Sequence, residues 1–200
     1  MNVPVNTTDS PPEFELRGGR FAPLTWDRMS TAQQAMTQNV MAGKRGSMQG
    51  PYNVLLRSPH IGNLAQQFGV HTRFESSLPL ALNELAILMV ARFWTSQFVW
   101  WAHRNMAASA GLSEQVIVAI AQGQPPALEG MAAAVHGFCQ ELLQTRRVSD
   151  ERFATLVKWV GEPGVVDLMA TMAYYTLVSM CLNVDQYPLP EGAVAELLPL

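Results

Sequence analysis

Residues 96–103, Ser-Gln-Phe-Val-Trp-Trp-Ala-His, set one histidine beside two tryptophans, and a lone carboxylate, Glu84, stands nineteen residues upstream in an apolar run. An imidazole and a carboxylate held together in poorly hydrated, aromatic surroundings suit proton transfer on a small organic acid, because burial and pairing move both pKa values toward neutrality. Glu84 and His103 are therefore the expected catalytic pair; a buried structural pair would use the same two residue types. In a helix, Ser96, Val99, Trp100 and His103 fall at i, i+3, i+4 and i+7 and share one face, which makes them one wall of the expected site. Arg73, Glu75 and Arg92 are further charged residues in a charge-poor region, and Arg73 is the cation expected to hold a substrate carboxylate.

Other chemistries lack support. His60, His71 and His136 are dispersed, no two histidines stand at metal-ligand spacing, and no metal is expected. There is no GxGxxG, P-loop or GxSxG string, so neither a nucleotide cofactor nor serine-hydrolase chemistry is indicated, and no cofactor is expected. Cys139 and Cys181 lie far apart inside apolar patterns, without a CxxC motif, and read as small buried hydrophobes.

These residues need helices to position them. From Leu80 to Ala110 the pattern is helical and apolar around its whole circumference, which places it at the centre of a fold, with a break predicted at Thr95–Ser96. Ser30-Thr-Ala-Gln33 has capping-box spacing and opens a helix to about Met41. Ser58-Pro59 opens a helix to about Glu75, and Ser113 caps one through Ala121. A helix is predicted from about Leu128 to Gln144, one from Ser149 to about Val160, and a last one over Gly164–Asn183. The uncharged stretch Leu168–Val184 approaches a membrane span in length but carries Tyr174, Tyr175 and other polar residues, and is expected to be a core helix. No β-type alternation of useful length occurs, so the class is all-α. Residues 1–27, rich in proline, glycine and polar groups, form an expected extended arm, and residues 28–200 a single domain.

The 200 residues are 48% hydrophobic, enough for one domain with a real core, and only 14% are charged. So few charges point to an oligomer that buries one face. A formal charge of −3 without a lysine or arginine cluster argues against nucleic acid and membrane surfaces as partners. The polar N-terminus shows no secretory signal pattern, and a cytoplasmic location is expected.

Asn83-Glu-Leu-Ala-Ile-Leu, Ser96-Gln-Phe-Val-Trp-Trp-Ala-His103 and Ala110-Gly-Leu-Ser113 together resemble the carboxymuconolactone decarboxylase family, relatives of alkylhydroperoxidase D (AhpD). Pro51-Tyr-Asn53, Leu56-Arg-Ser-Pro59, Arg73-Phe-Glu75, Leu78-Pro79, Tyr175-Thr-Leu and Pro190-Glu-Gly192 extend the likeness over roughly residues 25–192. The resemblance implies an AhpD-like helical bundle around a central hairpin, assembled as a homotrimer or homohexamer, with Glu84 and His103 at the proton-relay positions. Peroxidase members carry CxxCxxxH, and here Ser96 and Val99 replace both cysteines; a serine cannot cycle through a sulfenic acid, which disfavours thiol peroxidase activity. Decarboxylase-like members commonly have glutamate at Val99 and arginine at Asn83. The resemblance thus implies a decarboxylase-like enzyme acting by acid–base proton transfer on a small carboxylated lactone or related acid. In that scheme His103 is the general acid, Ser96 or Asn53 donates toward the oxyanion, and Trp94 and Trp100 exclude water. The alternative is a non-catalytic oligomeric module that binds a small molecule.

Overall fold

Each helix of this chain begins or ends where its local chemistry demands. The computed structural model describes residues 13–198, and among them there are eight α-helices and no strand. Helix α1 (Thr31–Ala42) opens with the full capping box: the Ser30 hydroxyl accepts from the Gln33 N–H and the Gln33 side chain accepts from the Ser30 N–H. A short α2 (Tyr52–Leu55) leads to α3 (Pro59–Phe74), which has proline in its first turn. Then come α4 (Leu80–Phe93), α5 (Gln97–Ser109) and α6 (Glu114–Ala121), the last capped by the Ser113 hydroxyl. Helices α7 (Gly130–Thr145) and α8 (Asp150–Asp185) complete the bundle.

The predicted break between α4 and α5 is a Schellman turn. The Ser96 N–H bonds to the Ala91 carbonyl at 2.8 Å and the Thr95 N–H to the Arg92 carbonyl at 3.0 Å, with Thr95 left-handed at φ 47°. A β-branched residue in that region costs on the order of 1–2 kcal/mol. The Arg92 guanidinium offsets part of that cost by donating to the Thr95 hydroxyl at 3.3 Å.

Two boundaries differ from expectation. Helix α7 starts at Gly130 rather than near Leu128, because Glu129 is extended and Gly130 takes a left-handed φ of 56°. The two helices expected over 149–183 run together as α8, with the gap reduced to a kink at Gly161, φ 68°. Pro163, which has no N–H to give, stands in the first turn after the kink.

Helix α4 is the axis of the molecule, buried from Leu82 to Arg92 and packed against α5, α7 and α8. This explains the absence of an amphipathic pattern in its sequence. A second apolar cluster, built by Leu16, Met29, Met36, Val40, Tyr52, Leu56 and neighbours, joins residues before α1 to α1, α2 and α3. Helix α8 is long and apolar enough to cross a membrane, yet Leu168, Met172, Tyr174, Tyr175, Val178 and Leu182 are buried against the rest of the chain.

Residues 1–12 of the expected arm lie outside the described residues. From residue 13 the chain is extended up to a single 3-10 turn at Trp26–Arg28 and lies over its own domain. Asp185, at the end of α8, holds it: the carboxylate accepts from the Gly19 N–H at 3.2 Å and the Phe21 N–H at 2.7 Å.

Candidate active site

Helices α4 and α5 run antiparallel from their tight turn, so Glu84, in the second turn of α4, meets His103 at the middle of α5. The His103 Nδ1 to Glu84 Oε2 distance is 2.8 Å, and the two side chains are only 7% and 3% exposed. With Glu84 ionised, Nδ1 carries the proton and donates it to the carboxylate, which leaves Nε2 as the free basic nitrogen of a neutral imidazole. Burial is the dominant influence and lowers the His103 pKa below its ordinary value of 6.5; Glu84 works against this, while Arg73 and Arg45 reinforce it. The imidazole is therefore neutral at rest, and the expected general acid must acquire its proton before it can act.

Helix α8 supplies the third wall. The Tyr175 ring stands edge-on to the imidazole with centroids 4.9 Å apart, and Tyr174 stands edge-on to Tyr175 at 5.3 Å. Both phenols are buried, and neither hydroxyl has a hydrogen-bond partner. Burial pushes the Tyr175 and Tyr174 pKa values up, and that of Tyr52 on α2 up to about 12, so all three remain protonated donors. The Tyr174 hydroxyl packs over Gly69 of α3, where a Cβ would run into it. In the sequence Tyr174 and Tyr175 read as polar interruptions of an apolar helix, with Tyr175 also part of the family likeness, but they stand more than seventy residues from His103 and no spacing links them to it.

The other expected site residues have diverse positions. Ser96, Val99, Trp100 and His103 do share the buried face of α5, but that face spans several surroundings. Ser96 lies seven residues before His103, about 10 Å along the helix axis. Its buried hydroxyl has no partner and borders a cavity of ≈ 200 Å³ shared with Leu182, Asn183 and Tyr187. Val99 is packed in the core. The Trp100 indole donates to Glu196 at 3.2 Å and borders a larger cavity of ≈ 460 Å³ with Arg92 and Arg104. Trp94 is ten residues beyond Glu84 on α4, about 15 Å along the axis, and its indole donates to Thr176 at 3.4 Å.

Asn53 is consumed by structure. Its amide donates to the Phe21 carbonyl at 2.7 Å and its oxygen accepts from Arg57 at 3.0 Å, so it fastens the N-terminal segment and is not available to an oxyanion. Asn83 likewise bridges three helices, donating to the Thr72 carbonyl of α3 at 2.9 Å and accepting from the Thr171 hydroxyl of α8 at 2.7 Å. Arg73, on the last turn of α3, reaches toward α5: its Nη2 lies 3.9 Å from the Met106 sulfur, three residues beyond His103. Cys139 sits in the core with its thiol pKa pushed up to about 12 by burial, and Cys181 is also raised by burial. Among the described residues no group of three His, Cys, Asp or Glu side chains could hold a metal ion.

No protein-family model and no curated protein sequence matches this chain. A solved structure does: a protein of unknown function from Agrobacterium tumefaciens, described as a candidate antioxidant defence protein AhpD. The two superpose with a TM-score of 0.61 over 71% of this chain and 99% of that one, at 16% sequence identity. Identity that low speaks for the fold and not for the chemistry. The all-helical architecture and this likeness agree that the chain has an AhpD-like fold.

Proposed function

We propose that this protein is a carboxymuconolactone decarboxylase-like enzyme that uses the Glu84–His103 pair to move a proton on a small carboxylated lactone or a related organic acid. The observation that carries this is the 2.8 Å buried contact through Nδ1, which fixes the tautomer and leaves Nε2 without a hydrogen bond among the described residues. In the reaction the bond to the departing carboxylate breaks, carbon dioxide leaves, and the electron pair is delocalised into the lactone carbonyl. His103, once protonated on Nε2, delivers that proton to carbon, and Glu84 stabilises the imidazolium until then. Tyr175 stands nearest among the unpartnered donors and takes the oxyanion role that Asn53 cannot. A trimer or hexamer fits the exposed Leu80, Phe93, Trp101 and Trp159, and no nucleic-acid or membrane partner and a cytoplasmic location remain part of this proposal.

The slight exposure of His103, 5%, favours one competing reading, a non-catalytic module in which the pair is structural. Turnover of 4-carboxymuconolactone by wild type and by Glu84→Gln separates the two. Glutamine keeps the shape and can still accept from Nδ1–H, so the fold is retained while imidazolium stabilisation is lost. The enzyme reading expects a rate drop of about 100-fold at nearly unchanged melting temperature. Absence of turnover in the wild type sinks it.

A further inference from the structure

Two arginines at the edge of the Glu84–His103 site have no carboxylate partner among the described residues. Arg45 belongs to the segment between α1 and α2, and its guanidinium lies over the Tyr52 ring, 4.9 Å from the centroid. Its one hydrogen bond is to the Gln49 carbonyl of its own segment, at 3.3 Å. Arg73 approaches from α3, packs over Phe74 at 5.1 Å and reaches Met106 of α5. Both are partly buried, while Lys44, the neighbour of Arg45, is paired with Glu75.

The groups facing His103 can be counted element by element. Glu84 comes from α4 and the Tyr175 ring from α8, with Arg73 of α3 and Arg45 of the segment before α2 close enough to act on the imidazole's charge; Tyr174 stands behind Tyr175, and Tyr52 of α2 lies under the Arg45 guanidinium. Two cations against one carboxylate and a neutral imidazole leave an excess positive charge. The Tyr175 hydroxyl adds a donor without an acceptor among the described residues, and Tyr174, whose hydroxyl neighbours that of Tyr52, lies against Gly69, one turn before Arg73 on the same face of α3. A site with surplus positive charge and an idle donor is built for an anion.

We propose that Arg45 and Arg73 form a clamp for a carboxylate of the substrate. The segment carrying Arg45 is fixed in place for that part, with Met48 buried in the second apolar cluster and the Gly50 N–H donating to the Tyr187 hydroxyl at 3.1 Å. The inference rests on the enzyme reading for its substrate, and it supplies what the resting imidazole lacks. An anion seated against the arginines offsets the two charges that reinforce the dominant effect of burial on His103, and so favours protonation of Nε2 as the substrate binds. Proton uptake and substrate recognition become one event.

The test is calorimetric titration with furan-2,5-dicarboxylate, a planar ring of lactone size, and with its dimethyl ester, on wild type, Arg45→Met and Arg73→Met. The dicarboxylate is expected to bind wild type with proton uptake at pH 7, seen as a dependence of the enthalpy on buffer. Each variant should weaken binding at least tenfold and lose that uptake, and the ester should not bind. Unaltered affinity in Arg45→Met, equal binding of the ester, or no binding of the dicarboxylate to wild type overturns the clamp. Turnover of 4-carboxymuconolactone distinguishes the two proposals. Glu84-dependent turnover with an unchanged KM in Arg45→Met keeps the enzyme and removes the clamp. Arginine-dependent binding without turnover keeps the clamp and removes the enzyme.

Discussion

Among the described residues two histidines face carboxylates, and the two arrangements have opposite physics. His71 lies between Glu75, at 3.6 Å, and Asp167, at 3.7 Å, with its side chain half exposed to solvent. His103 has one carboxylate at 2.8 Å and almost no water. At the surface, high dielectric and counter-ions reduce the pairing to a fraction of a kcal/mol. In the core the same residue types are committed to one geometry and one resting tautomer. What sets His103 apart is burial between three helices, and sequence proximity to an acid contributes little.

That contrast can be broken most forcefully by removing each imidazole. His103→Ala leaves a buried carboxylate without a partner and is expected to cost about 3–5 kcal/mol in urea denaturation, whereas His71→Ala should stay within roughly 0.5 kcal/mol of wild type. Equal effects would mean that the buried pair is not held as described. Because His103→Ala destabilises whether or not the pair is catalytic, a melting shift in that variant says nothing about function, and Glu84→Gln is the better functional probe.

A smaller effect is expected from Gly69→Ala, which pushes the added methyl into the rigid Tyr174 phenol and so disturbs the aromatic wall of the buried site from a distance. A loss of about 1–3 kcal/mol in thermal denaturation is expected, against the modest gain that alanine brings to an ordinary helix position. A stabilised variant would show that the wall is loose.

Next in size is the response to acid. The folded state holds His103 below the ordinary histidine value of 6.5, so its contribution to stability is complete above that pH. The contribution is lost as pH falls through 6.5 toward the depressed folded value, because the unfolded chain takes up the proton first. His136, half-buried beside Arg152, is also depressed by burial and adds a slope of the same sign. Denaturation at pH 7.5 and 5 should therefore show a weaker acid loss in His103→Asn than in wild type, and an equal loss in the two would mean that the buried imidazole does not carry the slope. The smallest expected effect is a null: native Cys139 should not react with a thiol reagent at pH 7, and rapid labelling would contradict its place in the core.

Much of the scaffold could be read in the sequence because its signals are local. The capping box at Ser30, the proline after Ser58, the serine caps at 113 and 149 and the uniformly apolar stretch after Leu80 each act within a few residues. The Glu84–His103 pairing was legible for a related reason, since a hairpin with a tight turn at 94–96 brings residues nineteen apart into register. What escaped was brought in by other helices. Tyr174 and Tyr175 arrive from α8, and Arg45 carried no periodic signal because it lies between helices. Asn53 looked free to donate to an oxyanion because the segment that occupies it is docked from 32 residues upstream. The shared face of Ser96, Val99, Trp100 and His103 was correct as helical geometry, but one face of a 13-residue helix is long enough to serve several unrelated neighbours.

The clasp between the N-terminal segment and Asp185 has a bearing on how the protein is made. Phe21 and its acceptor are 164 residues apart, so this clasp cannot close until α8 has been made, at roughly 5–20 residues per second about ten to thirty seconds after Phe21. Until then the segment is held from nearer by, through the Asn53 amide on the Phe21 carbonyl and the Arg57 guanidinium on the Ala22 carbonyl, and the second apolar cluster lacks Leu177 and Cys181. The last fastening of the N-terminal segment is thus timed by the emergence of α8 from the ribosome.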